Sequence, residues 1–141
     1  MRNKQGFTIV ELMIVIGVIG IISVVGFPLY TNYATRSKVT EAMFLLAGLK
    51  SPAVEYYDSW GGWPTAEMVG GKTQGSYVSI ITTGQISDDL YYVEAILKGD
   101  VRLNDKKLRM TYQPSIRDWQ CTNQGYDNVV SELFLPASCR K

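Results

Sequence analysis

A few residues, by type and spacing, could undergo chemistry: one peptide bond to be cut, one carboxylate to be paired, two thiols to be joined. Gly6 stands between the polar, basic stretch Met1–Arg2–Asn3–Lys4–Gln5 and the run Phe7–Thr8–Ile9–Val10–Glu11–Leu12. A secretory signal peptide places basic residues first, then its apolar stretch, then a small-residue cleavage site. Here the small residue precedes the apolar stretch. Cleavage after Gly6 would remove residues 1–6 and leave the apolar segment on the mature chain, with a fresh α-amine on Phe7.

Glu11 is the only charged residue between Phe7 and Thr35. A lone carboxylate in lipid is costly and marks a functional position whose partner must be found. After cleavage the Phe7 amine, one turn away, is the obvious partner. Within one chain that amine would sit at the positive end of its own helix dipole, a poor place for a cation. Glu11 of one subunit reaching the Phe7 amine of the next would satisfy both charges and set a register. The alternatives are pairing within one chain, or a protonated carboxyl that snorkels to the interface.

Cys121 and Cys139 are the two cysteines. With an export-type N-terminus the natural reading is a disulfide; two free thiols or a shared metal are the alternatives. The metal has no histidine and no CxxC spacing to complete its site. Histidine is absent altogether, which removes the commonest general base. No catalytic, cofactor-binding or metal site is expected, and a membrane-tethered enzyme is disfavoured. Asp88–Asp89 are adjacent carboxylates that read as a solvated turn. Lys and Arg number 14 against 13 Asp and Glu, and loss of Arg2 and Lys4 would leave 12 against 13. That balance is not the footprint of a dedicated nucleic-acid binder. Lys106, Lys107 and Arg109 with Arg140–Lys141 could make a basic patch for DNA phosphates; a solvated hairpin turn is the plainer reading.

The elements that position these residues follow from periodicity. From Leu12 to Leu29 no residue is charged, and Ile and Val dominate. Phe7 to Leu29 makes a helix of about 35 Å, enough to cross a hydrocarbon core. Small residues recur at Gly17, Gly20, Ser23 and Gly26, a ridge where helix backbones can approach. Pro28 follows, and its ring crowds the carbonyl of Val24, so a kink or loosening is expected there. Val39, Ala42, Met43, Leu46, Leu49, Ala53 and Tyr56 or Tyr57 then recur at helical spacing, an amphipathic stripe suited to packing on a sheet. Pro52 predicts a kink near Gly48 rather than a stop. Trp60–Gly61–Gly62–Trp63–Pro64 ends the helix and opens a loop to about Gly75. Its tryptophans could stack on a sugar or a neighbouring subunit, but more often such residues pin a loop to the core.

Four strands are expected beyond the loop: Tyr77–Val78–Ser79–Ile80–Ile81, an alternating run around Tyr91–Leu97, another around Leu108–Tyr112, and Arg117 to Thr122. Asn104–Asp105 supplies a turn between the middle two. The fold class is α+β: a long N-terminal helix, membrane-spanning then amphipathic, on an antiparallel sheet of about four strands. The expected divisions are a leader at 1–6, an apolar helix at 7–29 and a head at 30–141. The cysteines place the head in an oxidising compartment, outside the inner membrane.

Gly6 followed by Phe7–Thr8–Ile9–Val10–Glu11–Leu12–Met13–Ile14–Val15 resembles the processing site of type IV pilins. The likeness continues through Pro28, Tyr30, Tyr33, Arg36 and Lys38, and through Glu55–Tyr56–Tyr57. It returns at Trp119–Gln120–Cys121 and Leu135–Pro136–Ala137–Ser138–Cys139–Arg140. The stretch from Trp60 to Ile116 matches only in general pattern. The resemblance implies a pilin fold, cleavage after Gly6 by a prepilin peptidase, methylation of the Phe7 amine, and alignment of incoming subunits by Glu11. It implies that the helix around Gly20 and Pro28 can lose order in the filament. The expected partners are further copies of the chain in a helical filament, the prepilin peptidase, and inner-membrane assembly machinery with cytoplasmic ATPases. The expected course is from inner membrane to extracellular pilus, serving adhesion, twitching motility or DNA uptake, with DNA or a host surface as ligand. A minor pilin or a secretion-system pseudopilin is the second structural reading; the cysteine pair favours a pilin.

Overall fold

A computed structural model describes residues 6–140. Its elements are helix α1 (Ile9–Trp60), strands β1 (Val78–Ser87), β2 (Leu90–Leu97), β3 (Lys107–Gln113) and β4 (Asp118–Thr122), and a 3₁₀ turn at Ala137–Cys139. By internal contacts the chain divides between Ala34 and Thr35 into two compact units.

In the first unit, no side chain from Phe7 to Tyr30 is buried. The helix is long and apolar enough to cross a membrane, and its apolar window has no share inside the fold. A core helix of a soluble domain would have that face covered. The helical assignment passes through Pro28 without a break. Thr31 Oγ1 donates to the Pro28 carbonyl at 3.0 Å, and Ser23 Oγ to the Ile19 carbonyl at 2.8 Å.

In the second unit, α1 lays the buried stripe Thr35, Val39, Ala42, Leu46, Leu49 and Ala53 on a four-stranded sheet in the order β1-β2-β3-β4, antiparallel throughout. The stripe matches the sequence expectation, with Thr35 added at its start and Met43, Tyr56 and Tyr57 only half-buried. The helix continues through Pro52 and stops at Trp60. It stops there because Gly61 takes a left-handed backbone (φ 71°) while its N–H still reaches the Tyr57 carbonyl at 2.8 Å. Val78, Ile81, Val93, Ala95, Leu97, Leu108 and Met110 supply the sheet side of the core, with Leu103, Val130, Phe134 and Leu135 closing its ends.

The two tryptophans of the loop behave differently. Trp63 stacks on Tyr91 (centroids 4.9 Å apart) and Tyr112 (5.7 Å), tilts against Trp119 (5.9 Å), and donates its Nε1–H to the Tyr92 carbonyl at 3.2 Å. It pins the loop, as expected of such a residue. Trp60 stays exposed.

β1 is longer than its apolar core implied. It runs through Gly84 to Ser87, and the turn to β2 falls at Asp88–Asp89. Gly84 is there because the Tyr92 ring lies across it: a Cβ at that position would meet the ring within 2.8 Å. Asp89 then accepts from the Ser115 hydroxyl and from Gln113 Nε2 at 3.2 Å, tying the β1–β2 turn to the β3–β4 turn. Those donors, the Ser115 hydroxyl foremost, hold its carboxyl below the ordinary aspartate value.

Candidate assembly site

The N-terminal junction is built around Thr8. Gly6, Phe7 and Thr8 precede the helix in exposed, irregular backbone, so the Gly6–Phe7 bond lies outside the first helical turn. The Thr8 carbonyl takes the first helical bond, from Leu12 N–H at 3.2 Å. Thr8 Oγ1 accepts from Glu11 N–H at 3.2 Å, while Glu11 Oε2 accepts from Thr8 N–H at 2.8 Å and Thr8 Oγ1 at 2.7 Å. This is a capping box: Thr and Glu three apart satisfy each other's backbone donors at a helix start. The sequence argument points Glu11 to the Phe7 amine; within this chain its partner is Thr8, and the T-x-x-E spacing ahead of an apolar run is the signal for it. Gly17, Gly20 and Gly26 have open space where a Cβ would stand, so among the described residues no packing of this chain demands them.

At the head, polar residues of α1 hold the loops. Lys38 Nζ bonds Asp100 Oδ2 at 2.8 Å, and Thr35 Oγ1 donates to the same oxygen at 3.2 Å. Arg102 N–H donates to Asp100 Oδ1 at 2.9 Å, and its Nη2 reaches Thr35 Oγ1 at 2.5 Å. Arg36 Nε donates to the Leu133 carbonyl at 2.8 Å. Glu41 caps two successive amides, Ser76 at 2.6 Å and Tyr77 at 3.2 Å. Each of Arg36, Lys38 and Glu41 thus anchors a segment distant in sequence.

The Lys38 hydrogen bond, against the opposing effect of burial and helped by Arg102 N–H, holds Asp100 down to about 2. A carboxylate lowered in the folded state stabilises above its unfolded value, about 4, and loses that contribution as pH falls from there toward 2. Its side chain is only 10% exposed, so the effect is on the order of 1–2 kcal/mol. Urea unfolding of the detergent-solubilised subunit should weaken between about pH 4 and 2, and Asp100→Asn should flatten that part of the profile. A variant with the parent's acid profile would remove Asp100 from the account.

Cys121 and Cys139 form a disulfide, with Cα atoms 4.9 Å apart and 18 residues of separation. Of the readings open in the sequence, free thiols and a shared metal are thereby set aside for this pair. The bridge ties β4 to the 3₁₀ turn against the core, where Cys139 is fully buried. Closing a loop of this size stabilises by roughly 3 kcal/mol. Cys139→Ser should therefore lower the urea midpoint and the amount of surface filament, and unchanged stability would show the bridge to be dispensable.

Of the basic patch, Lys107 and Arg109 are engaged within the head. Lys107 Nζ (3.3 Å) and Arg109 Nη2 (2.6 Å) both bind Glu94, a carboxylate only 4% exposed. The Arg109 guanidinium is further held between the rings of Tyr92 (4.3 Å) and Tyr126 (4.2 Å). Burial pushes the Tyr126 phenol up to about 12, so it keeps its proton and donates to the Thr122 carbonyl at 2.7 Å. Arg140 donates to the Leu135 carbonyl at 2.9 Å, and Lys141 lies outside the described residues.

Comparison with known proteins matches both parts of the chain. Residues 1–27 match the prokaryotic N-terminal methylation motif, and residues 35–140 match the family described as pilin (bacterial filament). The type IV major pilin protein PilE of Neisseria gonorrhoeae is 41% identical, over 97% of this chain and 94% of that protein. The fimbrial protein EcpC of Eikenella corrodens is 32% identical, over 97% and 91%. The type IV major fimbrial protein FimA of Dichelobacter nodosus is 28% identical, over 98% and 97%. Matched in this way along nearly its whole length, the chain belongs to the type IV pilin family: it is a structural subunit of a homo-oligomeric pilus filament and not an enzyme.

Proposed function

We propose that the subunit is made as a precursor, cut between Gly6 and Phe7 by a prepilin peptidase, and methylated on the new Phe7 amine. It is held in the inner membrane by residues 7–29 until assembly machinery with cytoplasmic ATPases transfers it to the filament. There Glu11 meets the Phe7 amine of a neighbouring copy. The filament then serves adhesion, twitching motility or DNA uptake at a host surface or on DNA. Around Gly20 and Pro28 the packed helix loosens and gives the polymer its extensibility.

The observation that carries this reading is the junction itself. An exposed, irregular Gly6–Phe7 bond stands immediately before a capped helix whose apolar side chains are left uncovered as far as Tyr30. A protease needs an extended, accessible bond, and an apolar helix needs either lipid or other helices around it. Thr8 and Glu11 hold each other beside residue 7, so the carboxylate is already oriented at the end where an incoming amine would arrive.

Gly6→Val tests the processing step. A branched residue before the cut bond should leave the uncut precursor in the inner-membrane fraction and abolish surface filament. Normal filament from that variant would show that cleavage at this bond is not required.

A further inference from the structure

We propose that the cleft between the C-terminal half of α1 and the β3–β4 hairpin binds a neutral oligosaccharide. An aromatic wall takes one sugar face, and two carboxylates and two cations take its hydroxyls. The inference rests on the adhesive role proposed above and names the ligand class for it.

The cleft lies wholly within the head and holds about 610 Å³, in the range of clefts that take small ligands. Lys50, Glu55 and Asp58 line it from α1, Tyr112 from β3 and Trp119 from β4, with Arg117 at the hairpin turn. Tyr112 and Trp119 are directly opposite each other on the two strands, so both rings fall on one face of the sheet, 5.0 Å apart. Trp63 packs on Trp119 at 5.9 Å, and Tyr112 is 2% exposed, so the wall is fixed. Trp119 is only half-buried, which leaves part of its ring to the cleft.

The charged groups are placed but not consumed. Arg117 takes a left-handed backbone (φ 51°), and its N–H returns to the Pro114 carbonyl at 3.2 Å. Its Nη2 is 3.6 Å from Asp58 Oδ2, with the two side chains 75% and 47% exposed. An ion pair that open holds little, so both groups can turn to a ligand at small cost. Among the described residues neither Glu55 nor Lys50 makes an ion pair, and Lys50 Nζ stands over the Trp119 ring at 5.6 Å.

The ligand class follows from that arrangement. Two cations and two carboxylates leave no net charge, which matches a neutral molecule better than an ionic one. Carboxylates accept from hydroxyls, and ammonium and guanidinium groups donate to them, so a polyol satisfies both kinds. A pyranose adds an apolar C–H face for the aromatic wall. A protein partner fits less well, since the buried centre of such an interface is depleted in charge.

The test uses filaments sheared from the cell surface and saturation-transfer NMR. The probes are neutral di- and trisaccharides of glucose, galactose and their N-acetylated amines, with sialyllactose as the anionic one. At least one neutral saccharide should receive saturation, and its signal should persist in high salt. Asp58→Asn and Arg117→Asn should each weaken that binding at least about ten-fold; asparagine tolerates the left-handed backbone at 117. Glu67→Gln, an exposed carboxylate outside the cleft, should leave it unchanged. Binding of none of the neutral saccharides, or of sialyllactose alone, overturns the proposal, and so does neutral binding that both asparagine variants retain. If either of those variants lowers filament yield itself, the cleft is a contact between subunits and the proposal is overturned. Adhesion to an epithelial cell layer separates the two readings. Where cells lacking the subunit adhere as well as the parent, the adhesive role fails and takes this ligand with it. Where they do not, yet filaments bind no neutral saccharide, the role stands and the cleft is wrong.

Discussion

Glu11→Ala should accumulate in the inner membrane and yield few or no filaments when it is the only subunit expressed. Removing a charge makes the apolar segment easier to insert, so targeting should be unaffected. What fails is docking, because the Phe7 amine then enters the helical core without a counter-charge, a penalty of several kcal/mol at each junction by analogy with other broken buried pairs. The structure adds a confounding loss, since the same substitution removes the Thr8–Glu11 cap, worth about 1 kcal/mol. Glu11→Gln separates the two. Glutamine closes a capping box as well as glutamate does but carries no charge. Filament yield as low in Glu11→Gln as in Glu11→Ala assigns the effect to charge pairing; recovery in Glu11→Gln would assign it to the cap. Co-expressed with the native subunit, either variant should be incorporated sparsely, since a wild-type neighbour supplies one good junction. Normal filament from Glu11→Ala alone would end the alignment mechanism for this protein.

Glu94→Ala should cost the head about 3–5 kcal/mol because it strands the charge of a buried ion pair. Glu94 Oε2 takes Arg109 Nε at 2.8 Å and Nη2 at 2.6 Å, while Oε1 faces Lys107 at 3.3 Å. Arg109 cannot turn to water without leaving the two tyrosine rings that enclose it. A double variant, Glu94→Met with Arg109→Met, should recover much of the loss, since replacing both partners removes the unpaired charge. Urea denaturation of the three proteins decides it. If Glu94→Ala unfolds within about 1 kcal/mol of the parent, the pair behaves like an exposed one and holds little.

Glu94 also shows where the sequence stopped being informative. Alternation in β2 put Val93, Ala95 and Leu97 on the core and Tyr92 and Glu94 toward solvent, and the three apolar residues are indeed buried. Period-two patterning cannot know that the outer face is covered too. Here Tyr126, from the segment beyond β4, lays its ring on the Arg109 guanidinium at 4.2 Å while its hydroxyl accepts from Arg109 N–H at 3.2 Å. That contact is between residues about twenty apart in a stretch with no periodicity of its own. The helical stripe, the four-strand meander and the Asp88–Asp89 turn were legible because each is set by local spacing. The extension of β1 beyond Ile81 through Gly84 had no apolar signal, and at Gly84 the Tyr92 ring of the neighbouring strand lies where a Cβ would stand. Thr8 was legible from the T-x-x-E spacing alone, three residues before Glu11. Asp100 had no local signal at all, because its partners Thr35 and Lys38 come from the helix more than sixty residues earlier.

The account turns on one covalent fact, the end from which the mature helix begins. Intact-mass measurement of subunits sheared from the cell surface, with sequencing of the N-terminal peptide, reads it directly. The predicted result is a chain beginning at Phe7, one methyl group on its α-amine, and Cys121 joined to Cys139. A chain beginning at Met1, or one cut after Pro28 so that the apolar helix is gone, would contradict it.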